Sequence, residues 1–279
     1  FPYTGANGQS NREGTGNMTS RSARAILVSI AASSLAVFSS CGGGGSGDRD
    51  EQVTLAGVVE KGPFVLGSSV VISPLDHRFN PTGEAYHTQT TSDLGTFRVD
   101  FRYLGAVALE GNGYYYNELS GALSQSQLTL RAYHEITAGG DQEAYINIVT
   151  HLSAGRIRDL IEDGTGFGEA RDRAELELRT ALGLGPTGFD PGCSGIEMNV
   201  LGGQSLCNAY LLAVSSVLLQ AASQRGGPLD AALQELANGI AIDLADDGAL
   251  VETTAAAVHE AEAAVDPEAI MQMLSDRLG

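Results

Sequence analysis

The hydrophobic period of this chain changes once, close to Tyr145, and that change limits the fold more than any other feature. Before it, apolar and polar residues alternate in short runs rich in Val, Thr, Tyr and Phe, whereas after it apolar residues recur three and four apart. Alternation marks half-buried strands, and the longer period marks helices with one face on a core. The spacing predicts strands at residues 52–59, 69–73, 85–91, 96–101, 107–110 and 128–133. Breaks are expected at Lys61-Gly62-Pro63, Asn80-Pro81-Thr82-Gly83, Ser92-Asp93-Leu94-Gly95 and Gly111-Asn112-Gly113, where turn residues gather. Helices are expected at residues 148–161, 167–182, 205–224, 228–245, 252–265 and 267–278. Pro228 and Pro267 stand at helix starts, and Gly183 and Gly248 at helix ends, as capping preferences require. The expected architecture is α+β, with an N-terminal antiparallel β-sandwich at residues 51–140 followed by an all-α helical domain at residues 145–279. The run Leu211–Leu219 is apolar on nearly every face, which places its helix at the centre of that domain, and its nine residues are too few for a membrane span.

Upstream, residues 18–40 have the layout of a secretory leader. Arg21 and Arg24 precede an apolar run from Ala25 to Phe38, and small residues Ser39 and Ser40 lead into Cys41. The run holds 14 residues, short of the roughly 20 that cross a bilayer as a helix. The sequence Phe38-Ser39-Ser40-Cys41 resembles the bacterial lipobox, with Phe38 where Leu is commoner. That resemblance implies cleavage before Cys41, lipidation of its thiol and membrane anchoring through the acyl chains. Residues 41–50 are Gly-rich and read as a flexible tether. Gly42 after the cysteine implies the outer membrane, with a periplasmic or surface face. Residues 1–17 are polar and Gly-rich and precede Met18, so they are set apart from the fold as non-native or disordered.

A second resemblance is carried by Leu55-Ala56-Gly57-Val58-Val59-Glu60-Lys61-Gly62-Pro63-Phe64, by Gly67–Ile72, by Pro81-Thr82-Gly83 and by Thr88–Phe97. These segments resemble the carboxypeptidase-regulatory-like, transthyretin-like sandwich, in which an Asp-x-Gly-x-Phe turn leads into a later strand. Asp93, Gly95 and Phe97 match that turn. The resemblance implies that Asp93 bonds turn backbone, Gly95 takes a positive φ and Phe97 returns to the core. The chain also resembles lipoproteins of unassigned role in which such a sandwich precedes helices opening on Thr-His-Leu, here Thr150-His151-Leu152. Both likenesses bear on fold more than on activity.

The charge excludes one class of partner. The chain has 16 Lys and Arg against 34 Asp and Glu, and beyond residue 40 these become 13 and 33. A surface so acidic, with no basic cluster after Cys41, repels phosphate backbones, so no nucleic acid is expected. The absence of Trp and a mean hydropathy of -0.02 point to a soluble core.

Catalytic motifs do not emerge. The chain has no HExxH, no Gly-x-Ser-x-Gly elbow, no P-loop and no dinucleotide-binding glycine pattern opening a βαβ unit, and no cofactor is implied. His134 and Glu135 are the nearest approach to an acid–base pair, in a strand-to-loop region without a third partner in view. His151 follows Thr150, which reads as a helix N-cap, while His77, His87 and His259 are scattered. Asp243, Asp246, Asp247 and Gly248 lack the alternate spacing of a calcium loop, and Glu252 comes too early to close one. Their carboxylates oppose the helix dipole at that end. Tyr114, Tyr115 and Tyr116 form the one aromatic concentration, with core packing expected for at least one ring and candidate binding for the others. With Cys41 lipidated, Cys193 and Cys207 remain as an even pair in an oxidising compartment, and a disulfide between them is expected; the CxxC spacing and neighbouring His of a metal site are missing.

The expectation is therefore a non-enzymatic, membrane-anchored envelope lipoprotein that binds a protein or glycan partner or has a structural role. The alternative is an accessory domain of an envelope enzyme, or a weak hydrolase using His134 and Glu135.

Overall fold

A computed structural model describes residues 51–185, 188–270 and 272. The leader, Cys41 and the tether lie outside the described residues, as does the helix expected at 267–278 beyond its first turn.

Among the described residues, eight strands come first and five named α-helices follow, an α+β order. β1 (Gln52–Glu60) lies between β4 (Thr96–Arg102), antiparallel to it, and β7 (Gly140–Glu143), parallel to it, and its far end also pairs in parallel with β8 (Ile146–Asn147). The second sheet is antiparallel throughout, with β3 (Tyr86–Gln89), β2 (Ser69–Pro74), β5 (Gly105–Gly113) and β6 (Leu128–Ile136) in that order. The expectation of antiparallel pairing alone is thus corrected. Parallel strands need a long connection, and residues 61–139 supply it by building the rest of both sheets between β1 and β7.

A Cβ on Gly111 would stand 2.4 Å from Val59 Cγ1, so the second sheet approaches β1 at that point as only glycine allows. This corrects the break expected at Gly111-Asn112-Gly113. The glycines continue β5 and mark close approach, the second meaning glycine has in a strand. On the edge, Tyr86 stacks on Phe101 at 4.9 Å between centroids, its hydroxyl donates to Arg102 O and Thr88 Oγ1 donates to Arg98 O.

α1 (Ile148–Glu162) is the element against which strands and helices meet, packing on β6, α2, α3 and α4. Its N-cap is Asn147 and not Thr150. Asn147 Oδ1 accepts from Thr150 N, Thr150 Oγ1 accepts from Asn147 N, and Asn147 Nδ2 donates to Gly195 O and Met198 O. α2 (Phe167–Leu182) and α4 (Leu229–Asp247) end on Gly183 and Gly248 in the left-handed region, and Pro228 is the N-cap of α4, as expected. α3 (Leu206–Gln224) packs on α4, α1 and α5 (Glu252–Ala264). At 19 residues α3 is long and apolar enough to span a membrane, so shortness does not exclude it; the burial of Leu211, Val214, Leu218 and Leu219 places it in the core. The helix at the centre is α1, which packs on β6, α2, α3 and α4, whereas α3 begins on Leu206, 63% exposed.

Val53, Leu55, Ile72, Leu109 and Leu130 from the sheets and Leu152, Leu211, Leu233 and Ile240 from the helices belong to one continuous hydrophobic core. The change of period near Tyr145 therefore marks a change of secondary structure within residues 46–279, which cluster as one unit.

Candidate functional site

The densest group of buried polar side chains lies where β1 ends. Glu60 and Lys61 follow the apolar Val58-Val59, and strand alternation would send at least one of them into the core. Both are fully buried. Lys61 Nζ lies 2.7 Å from Glu118 Oε1, and Ser215 Oγ from α3 bonds to the same carboxylate oxygen and to Lys61 O. The ammonium also sits 5.6 Å from the ring centroid of Tyr115. Burial pushes the Lys61 amine down from its ordinary range, and the Glu118 carboxylate opposes that shift.

Glu60 Oε1 accepts from Val200 N at 2.8 Å, while its Oε2 has no partner among the described residues. Burial raises the Glu60 carboxyl to about 8, against the Val200 hydrogen bond and with the help of the Glu118 charge. Tyr115 OH donates to Asp230 Oδ1 at 2.7 Å, and Asp230 Oδ2 accepts from Gln125 N and Ser126 N. Asp230 thus ties the first turn of α4 to the loop after Tyr115. Asp230→Ala strands the buried Tyr115 hydroxyl and frees the backbone N–H groups of Gln125 and Ser126, and is expected to cost about 1–3 kcal/mol in chemical denaturation; an unchanged midpoint would show that the loop is held by other contacts.

No substrate reaches this cluster, because Lys61, Glu118 and Ser215 are buried to 0%, 6% and 0% exposure. Its chemistry is that of a tie between strand end, loop and helix. The sequence hides it, because Lys61 and Ser215 lie 154 positions apart.

The expected candidates are spread through the fold. His134 and Glu135 are neighbours on β6, opposite Val107 and Ala106 of β5, and alternation turns their side chains to opposite faces. His134 is partly buried and its imidazole is lowered by burial, while Glu135 is exposed. His151 packs in α1 with Nε2 3.1 Å from Asn238 Oδ1, and burial lowers it to about 4. Tyr115 is fully buried, Tyr116 half-buried and Tyr114 40% exposed, so of the three only Tyr114 offers much ring to solvent. Among the described residues no three His, Cys, Asp or Glu side chains gather as a metal site.

The Asp cluster at the end of α4 has a structural reason. Asp243 Oδ2 accepts from Val251 N and Asp247 Oδ1 from Ala249 N, so two carboxylates organise the entry to α5. The helix-end carbonyls of Ala245 and Asp246 accept from Arg156 Nη1, and Arg156 Nε bonds Glu177 Oε2 at 2.6 Å. A buried guanidinium at this terminus offsets the unfavourable acids.

Cys193 and Cys207 form a disulfide with Cα atoms 6.2 Å apart. It closes a loop of about 15 residues that contains the 3₁₀ turn Gly195–Glu197 and ends in the first turn of α3. Replacing both by Ser should lower stability by about 3 kcal/mol through the entropy of the unfolded loop, read as a lower melting temperature that reductant reproduces in the parent protein.

A cavity of about 450 Å³ opens beside α3, walled by Leu184, Phe189, Leu206, Val217 and Ile270, with Tyr210 and Ser216 as polar lining. Helical spacing places α3 here but gives no sign of the cavity beside it. Comparison of the chain with protein-family models, curated proteins and solved structures finds no match in any of the three.

Proposed function

We propose that this chain is an exported lipoprotein, anchored in the outer membrane through Cys41, whose sheets and helices act as a non-enzymatic binding module for a protein or glycan partner. The observation that carries the reading is the succession of basic leader, 14-residue apolar run, Ser39-Ser40-Cys41 and Gly-rich tether directly before the first strand. The two sheets are read as the carboxypeptidase-regulatory-like sandwich. In support, Gly95 has a φ of +73°, Asp93 Oδ1 accepts from Leu66 N and Phe97 is buried.

Geometry favours a partner at one end. β1 begins at Gln52, next to the tether, and runs about 27 Å to Glu60 at ~3.3 Å per residue. Beyond that far end, Leu66, Leu94 and Tyr114 are exposed on loops joined by the Leu66–Asp93 and Val65–Tyr114 hydrogen bonds. Scattered exposed apolar residues are ordinary, but three on adjoining loops at the opposite end of β1 from Gln52 suit a partner-facing tip.

The test is metabolic labelling with an alkyne fatty acid in a bacterial host. The parent chain is expected in the membrane fraction with label, and Cys41→Ala without label. Equal labelling of both would remove the basis of the proposal.

A further inference from the structure

The buried pair at the end of β1 is placed for more than charge attraction. Lys61 Nζ lies 2.7 Å from Glu118 Oε1, and the two side chains are 0% and 3% exposed. A hydrogen bond of that length brings an amine to roughly the 3–3.5 Å from a carboxyl carbon at which the two can react. Groups held in such a geometry behave as though present at roughly 10⁵–10⁸ M.

Two further features favour condensation over a lasting ion pair. Glu118 Oε2 is buried without a hydrogen-bond partner among the described residues, so nothing holds that oxygen in place. Oε1, by contrast, is bonded by Ser215 Oγ, which stands where negative charge develops when the carboxyl carbon is attacked. Burial supplies the drive. It pushes the Lys61 amine down toward its neutral, nucleophilic form, and it makes two charges costly where one uncharged amide would serve. The same burial keeps out the water that would hydrolyse the product.

We propose that Lys61 and Glu118 condense into an intramolecular amide that locks the end of β1 to the segment after β5. The Nζ–Cδ bond forms and the Cδ–Oε2 bond breaks. Two protons of the ammonium leave with Oε2 as water and the third stays on the amide nitrogen, so no oxidant or co-reactant is consumed. Oε1 remains as the amide oxygen, with the Ser215 hydroxyl as its donor. The bond forms after folding and by degrees, so newly folded chain holds the ion pair and aged chain the amide. It closes a ring between residues 57 positions apart. The acyl anchor and the loop tip play no part in it, so it stands or falls separately from them.

The test is trypsin digestion and mass spectrometry of the full chain, sampled from purification through prolonged incubation. The expected product joins residues 50–78, uncut after Lys61, to residues 103–131, and weighs one water less than the two peptides together. Its share should rise with incubation. Lys61→Arg keeps the charge and is expected to give no joined peptide. Ser215→Ala, with its circular dichroism unchanged, should slow the joining by about tenfold or more. The proposal is overturned if every sample of the parent yields residues 50–61, 62–78 and 103–131 as separate peptides. It is overturned equally by a joined peptide that persists in Lys61→Arg, or by joining in Ser215→Ala as fast as in the parent.

Discussion

Lys61→Ala is expected to lose about 3–5 kcal/mol of stability, a large share of what a domain of this kind possesses. The substitution leaves the Glu118 carboxylate buried beside Ser215 with its counter-ion gone and removes the ammonium from the face of Tyr115. Replacing both charges by apolar residues, as in Lys61→Met with Glu118→Leu, should recover at least half of the loss, because what costs most is one buried charge without the other. Urea denaturation followed by far-UV circular dichroism reads both numbers. A single variant within about 1 kcal/mol of the parent would mean that water reaches the pair and that the tie at the end of β1 is not buried as described.

The second large effect depends on pH. Glu60 is raised from 4.5 to about 8 in the folded protein, so the folded state holds its proton over a range where the unfolded chain has released it. The stability this gives is complete below pH 4.5 and is lost as pH rises through about 8. At ~1.4 kcal/mol per pKa unit the loss is on the order of 4–5 kcal/mol. His151, lowered from 6.5 to about 4, acts in the opposite sense, its contribution being lost as pH falls from 6.5 toward 4. Between pH 4.5 and 6.5 the two slopes offset one another, and above 6.5 the imidazole no longer opposes that of Glu60. Glu60→Gln cannot ionise, so the stability difference between variant and parent should grow in the variant's favour by several kcal/mol from pH 4.5 to 8, whatever constant offset the amide introduces. A difference that stays level across that range would mean that Glu60 is ionised in the folded protein throughout.

What the residues disclosed by themselves follows the range of the interaction concerned. Local periodicity was enough for β1 to β6 and for α1 to α5, since alternation, helical spacing and the prolines and glycines at helix ends act within a few residues. β7 and β8 escaped it. One has four mostly exposed residues and the other two, and both exist because β1, some 85 positions earlier, offers them a parallel edge. Thr150 looked like a cap because Thr often is one, whereas the cap is Asn147, whose amide is also needed by Gly195 and Met198. The same limit governs the sites. Cys193 and Cys207 pair by arithmetic and compartment, but the Lys61–Glu118–Ser215 tie joins residues that share nothing in the sequence beyond being polar. Tyr210 and Ser216 read as ordinary helix positions, and only the packing shows their hydroxyls buried without a hydrogen-bond partner among the described residues.

The proposed role rests on the thiol of Cys41 having become a fatty anchor, and intact-mass and N-terminal analysis of the protein recovered from cells measures that directly. The account predicts a chain that starts at Cys41 and carries the added mass of acyl groups. A chain that starts at any other residue, or one that starts at Cys41 without acyl mass, would contradict it.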